Sequence, residues 1–135
     1  MNNRRIIVNG TFDILHRGHI EMLNYARSLG DHLLVCIDSD KRVKELKGKT
    51  RPVNKQEDRK FHLDNIKSVN AVWLFDSAEE LEHICKLYKP HVMVKGSDYQ
   101  GKPIVGAEYC DTIVFYDLVN GYSTSKIIEN INNRK

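Results

Sequence analysis

Two histidines three residues apart, His16 and His19, flank Gly18 in the string Asn9-Gly10-Thr11-Phe12-Asp13-Ile14-Leu15-His16-Arg17-Gly18-His19. The string leaves an apolar run and enters a helical pattern, so both imidazoles stand at or just before a helix N-terminus. Open backbone amides and the positive end of the helix dipole favour an anion there, and both rings can point at it. Gly10 permits a tight turn, and Gly18 lets backbone approach a ligand closely. A zinc site is the poorer reading, because no cysteine or third histidine lies at ligand spacing. The turn is not a Walker A loop, since no Gly-Lys-Ser/Thr follows, and it lacks Gly-x-Gly-x-x-Gly. With six histidines in the chain, the pair alone is also compatible with chance.

A basic block extends the anion chemistry. Between Lys41 and Lys60 nine Lys or Arg residues meet three acids, a local +6 in a chain of net charge +3, leaving the remainder at −3. Such asymmetry suggests an anion-binding surface, with a solvated basic face as the competing reading. Lys44, Lys47 and Arg51 lie where they could clamp phosphates, although each taken singly also suits a surface role. Ser123-Thr124-Ser125 opens the last helical pattern with hydroxyls and free amides, either a phosphate site or an ordinary cap. Lys95-Gly96-Ser97-Asp98-Tyr99 follows the fourth apolar run, and Asp98 there either holds a ligand or organises the loop. Asp13 either orients a histidine, contacts a magnesium ion or only closes its turn, and Phe12 reads as core. No nucleic-acid partner is expected, because aromatic residues hardly interleave with the basic block.

These residues need a scaffold, and the chain spells one. Its 135 residues, 41% hydrophobic and 29% charged, fit one domain over 1–135. No apolar run approaches the roughly 18 residues of a membrane span, and no secretory leader is read. Cys36, Cys85 and Cys110 are odd in number and widely spaced, as in reduced core residues of a cytoplasmic protein. Five short, nearly continuous apolar runs (Ile6–Val8, Leu33–Ile37, Ala71–Phe75, Val92–Val94 and Thr112–Tyr116) read as strands covered on both faces. Helical patterns separate them. One carries Ile20, Leu23 and Ala26 and ends at Gly30. A second starts at Asn54 with Glu57 and runs to about Ser68. A third starts at Ser77 with Glu80 and stops at Pro90, and the last turns Thr124, Ile127, Ile128 and Ile131 inward. This alternation predicts an α/β fold, a doubly wound, Rossmann-like five-stranded parallel sheet with its ligand at the carboxyl ends of the strands.

The string Gly-Thr-Phe-Asp-x-x-His-x-Gly-His closely resembles the signature of the cytidylyltransferase-like nucleotidyltransferases. Further blocks stand in the order that the adenylyltransferase domain of ADP-heptose synthesis enzymes shows: Leu46 to Asn54, Glu57-Asp58-Arg59, Val94 to Tyr99, Ile104 to Glu108 and Gly121 to Ser125. The resemblance implies transfer of AMP from ATP to D-glycero-β-D-manno-heptose 1-phosphate with release of pyrophosphate. Glycerol-3-phosphate cytidylyltransferase, which uses CTP, is the near relative, and a non-catalytic nucleotide-binding module is the reading from another class. The resemblance gives catalytic roles to His16, His19, Lys47 and Arg59. It gives nucleotide contacts to Gly10, Thr11, Phe12, Asp13, Gly18, Lys44, Ser123, Thr124 and Ser125, and acceptor contacts to Arg51, Lys95, Gly96 and Asp98. Mg2+ is expected on the nucleotide phosphates, and relatives are often homodimers. Leu118-Val119-Asn120-Gly121 stands where the cytidylyltransferases carry Arg-Thr-x-Gly. Thr11 replaces the usual cysteine of the heptose group, and Asp76-Ser77-Ala78 its Glu-Asp-Thr-Pro.

Overall fold

A computed structural model describes residues 3–117 and 124–133. The five apolar runs become five parallel strands: β1 (Arg5–Gly10), β2 (His32–Asp38), β3 (Ala71–Phe75), β4 (Val92–Gly96) and β5 (Thr112–Tyr116). Their order across the sheet is β3-β2-β1-β4-β5, as expected for the doubly wound fold. Six residues of β1 pair in register with β2, from Arg5 opposite His32 to Gly10 opposite Ile37, while β4 flanks β1 on the other side. The chain therefore reverses its direction of winding at β1, and the crevice above its carboxyl end is where ligands bind in such sheets.

Both faces of the inner strands β2, β1 and β4 are covered, which is why their runs are continuous rather than alternating. At the edges, Trp73 of β3 is exposed and β5 is at most half-buried, contrary to the expectation for those two runs. One core layer gathers Ile6, Val8, Leu33, Val35, Ile37 and Val94 with Leu23 and Ala26 of helix α1 (Arg17–Ser28). The other gathers Ile7, Leu34, Cys36, Phe75 and Met93 with Leu81, Ile84 and Cys85 of helix α4 (Ala78–Tyr88). Ser77 caps α4 by accepting from Glu80 N–H at 3.1 Å, and the helix stops at Lys89 in the left-handed conformation just before Pro90.

Three further expectations change. Helix α2 (Asp40–Lys47) was not legible, because it buries only Val43 and its charged face hides the helical period. Helix α3 (Gln56–Asp64) starts later and ends earlier than Asn54 to Ser68: its N-cap is Lys55, and the Asn54 side chain bonds elsewhere. Helix α5 (Thr124–Asn133) leaves Ile127 and Ile128 half-buried but Ile131 exposed, so its apolar face is narrower than the pattern suggested.

Candidate active site

The turn between β1 and α1 begins at Gly10, where a side chain would press on the Phe12 ring at 3.0 Å. Phe12 itself takes φ +52°, a left-handed conformation that costs a residue other than glycine about 1 kcal/mol or more. Burial holds it there: the ring is 5% exposed and lies 5.1 Å from the His19 ring.

The two histidines cap α1 reciprocally. His16 is the N-cap residue, and its Nδ1 accepts from Gly18 N–H at 3.1 Å, while His19 Nδ1 accepts from His16 N–H at 3.3 Å. The rings stack with centroids 3.8 Å apart. Because each Nδ1 is engaged as an acceptor, each neutral ring carries its proton on Nε2 and is a donor there. Burial lowers the His16 pKa. That of His19 falls from 6.5 to about 4 through burial first, then the nearby His16 and Lys47. Both rings are thus neutral donors at physiological pH.

Above the ends of β2, β1 and β4 lies a cavity of about 450 Å³, a size usual for small-molecule sites. His16 and His19 share its wall with Lys47 and Arg51 from one side and Lys95 and Gly96 from the other. Gly10, Thr11, Phe12 and Asp13 form its floor and edge. Lys95 Nζ rests over the Tyr99 ring, 4.1 Å from its centroid, and donates to Asn9 Oδ1 at 3.4 Å. Burial lowers the pKa of Lys95 and of Lys47, with Arg51 adding to the effect on Lys47. Burial thus disfavours the charged form of both lysines, and an anion in the cavity would favour it.

Several expected residues take other posts. Arg59 is fully buried and absent from the cavity wall. Its guanidinium donates to the carbonyls of Asn54 (3.0 Å), Thr11 (2.9 Å) and Asp38 (2.7 Å) and to Asp40 Oδ1 (2.8 Å). The loops it binds enclose it, turning it away from the cavity, and its ion pair is with the partly exposed Asp40 carboxylate. Asp13, 1% exposed, accepts from Val53 N–H and Asn54 N–H, both at 2.7 Å, so its carboxylate ties one loop to another instead of orienting a histidine. Gly18 is buried within α1, where its N–H serves the cap. Lys44 lies off the cavity wall, its Nζ 3.4 Å from the Arg51 carbonyl. Asp98 is exposed and also off the wall, turned back so that a Cβ at Gly96 would meet its Oδ1 at 2.6 Å. Ser123 lies outside the described residues. Thr124 and Ser125 open α5 as expected.

The structure adds Asp38 and Arg42, which the sequence reading missed. Asp38 is 8% exposed and ends β2 on the cavity wall, accepting from Arg42 Nε at 2.9 Å and Thr11 Oγ1 at 3.2 Å. An acid closing an apolar strand beside the winding reversal was the signal that could have found it. Asp13 and Asp38 are both engaged by protein donors. Among the described residues no group of three or more His, Cys, Asp or Glu side chains converges to hold a metal ion. No described helix is long and apolar enough to cross a membrane.

Residues 7–130 match the family described as Cytidylyltransferase-like. The chain is 44% identical over 131 residues to the bifunctional protein HldE of Aliarcobacter butzleri, covering 97% of this chain and 27% of that protein. It is 46% identical over 135 residues to the bifunctional protein HldE of Campylobacter jejuni serotype O:2, covering 99% and 29%. The chain thus spans just over a quarter of the length of these relatives. Among solved structures, the lipopolysaccharide core biosynthesis protein from Thermoplasma volcanium superposes with a TM-score of 0.70 at 24% identity, over 86% of this chain and 98% of that one. That likeness supports the fold.

Proposed function

Since the chain belongs to the cytidylyltransferase-like family of nucleotidyltransferases, we propose that it transfers AMP from ATP to a sugar 1-phosphate, D-glycero-β-D-manno-heptose 1-phosphate, and releases pyrophosphate. The observation that carries this reading is the stacked His16–His19 pair, with both Nδ1 atoms occupied, facing a cavity shared with Lys47, Arg51 and Lys95. The sugar and the base follow from the motif blocks that resemble the heptose enzymes.

A phosphate monoester is already anionic, so its oxygen attacks the α-phosphorus in line without a strong general base. The bond from the α-phosphorus to the oxygen bridging the α- and β-phosphates breaks, and negative charge gathers on that leaving oxygen and on the non-bridging oxygens of the α-phosphate. The His16 and His19 Nε2–H groups donate to those oxygens, and Lys47 and Arg51 neutralise the departing pyrophosphate. Lys95, at the end of β4 on the other side of β1 from β2 and α2, holds the acceptor phosphate, and Lys47 and Arg51 line the same cavity. Gly96 lines the cavity beside Lys95. Mg2+ enters with the nucleotide as part of the substrate.

The test is pyrophosphate production in a matrix of ATP and CTP against heptose 1-phosphate and glycerol 3-phosphate. The proposal expects ATP with heptose 1-phosphate to lead. Preference for CTP with glycerol 3-phosphate overturns the substrate assignment. Nucleotide binding without pyrophosphate from any pair leaves a binding module instead of an enzyme.

A further inference from the structure

The loop bearing Arg51 is fastened to the histidine turn by hydrogen bonds centred on Asn54, a residue with no part in the reaction above. Asn54 N–H donates to Asp13 Oδ1 at 2.7 Å, and its side-chain Nδ2 donates to the Asp13 carbonyl at 2.7 Å. Its own carbonyl accepts from Arg59 Nε at 3.0 Å. Val53 N–H adds a bond to Asp13 Oδ2 at 2.7 Å, and Arg59 continues to the carbonyl of Thr11 in the same turn. The segment 51–54 is therefore locked to residues 11–13 from both backbone and side chain.

Arg51 is the functional group at the end of this clasp. Its side chain is 15% exposed and lines the cavity, with Nε 3.6 Å from Asp13 Oδ2. Its Nε and Nη2 are buried without a hydrogen-bond partner. Buried guanidinium donors left idle are unfavourable, and an incoming phosphate oxygen relieves them.

We infer that Asn54 is a positioning residue: its two-point bond to Asp13 fixes where the idle Arg51 donors meet a phosphate relative to the histidine pair. The inference rests on the phosphoryl-type chemistry proposed above. Asparagine suits the post because it supplies a donor to the Asp13 carbonyl. Aspartate has the same size but sets an acceptor against that carbonyl, and alanine leaves it unpaired.

A double-mutant cycle between Asn54 and Arg51 tests it. Asn54→Ala, Asn54→Asp, Arg51→Ala and the corresponding doubles are compared by pyrophosphate formation and by calorimetric binding of inorganic tripolyphosphate. Misplacing a reacting group by about 1 Å costs up to about a hundredfold, so each single variant is expected to lose about tenfold to a hundredfold in kcat/KM. Each double should be no worse than Arg51→Ala within about twofold, because Asn54 acts only through Arg51. Tripolyphosphate affinity should follow the same pattern. Losses that multiply in the doubles overturn the inference, as does an Asn54→Asp variant equal to wild type. If the wild-type chain yields no pyrophosphate with any substrate pair, the reaction assignment fails while the tripolyphosphate cycle still decides the role of Asn54. A wild-type chain that does not bind tripolyphosphate overturns the inference as well.

Discussion

His19→Asn separates the two jobs that His19 performs. The asparagine carbonyl reaches the place of Nδ1 and keeps the bond from His16 N–H, now 3.3 Å long, so the helix cap survives. What disappears is the Nε2–H donor and a titrating ring. Loss of one donor to a developing oxyanion costs about a hundredfold to a thousandfold in turnover. The missing ring also changes how stability depends on pH. In the unfolded chain the imidazole takes up a proton below 6.5, whereas in the fold it resists protonation until about 4. Between those values the unfolded state binds more protons, so wild-type stability is full above pH 6.5 and falls as the pH drops towards 4. The difference is worth roughly 3 kcal/mol, nearer about 2 once solvent access to the ring's outer edge is counted. The lowered His16 pKa acts in the same sense and is common to both proteins. Urea unfolding across this window, beside a pyrophosphate assay at neutral pH, reads both effects. The expected variant turns over slowly, loses less stability on acidification than wild type, and stays folded. Turnover within tenfold of wild type removes His19 from the chemistry, and parallel acid losses in the two proteins refute the reasoning about its burial.

Two further substitutions probe the frame. Arg59→Ala strands three carbonyls and the Asp40 carboxylate, so it should lower stability by about 3–5 kcal/mol in urea unfolding; turnover lost with stability intact would return Arg59 to direct phosphate contact. Gly106→Ala places a side chain at φ +84° with its Cβ 2.5 Å from Cys85 Sγ, so it should cost about 2 kcal/mol or more while leaving turnover of the folded enzyme unchanged.

The sequence by itself determined the strands, their parallel pairing and the end of the sheet that carries the site. Continuous apolar runs such as Leu33–Ile37 can be satisfied only between two covered faces, and helices between them leave few topologies. It also determined that His16 and His19 sit at a helix start, because a three-residue spacing there makes reciprocal capping a local matter. Tertiary structure alone decided what the charged residues do. Arg59 and Lys47 look alike in a basic stretch, yet loops distant in sequence close over one and leave the other on the cavity wall. Asp13 reads as a candidate ligand until the amides of Val53 and Asn54 arrive to occupy both of its oxygens. Asp38 lies just past the run Leu33–Ile37 and carries no role in the sequence until Arg42 and Thr11 turn towards it. A charged side chain's role depends on which donors and acceptors reach it first, and those partners come from distant parts of the chain that only the fold brings together.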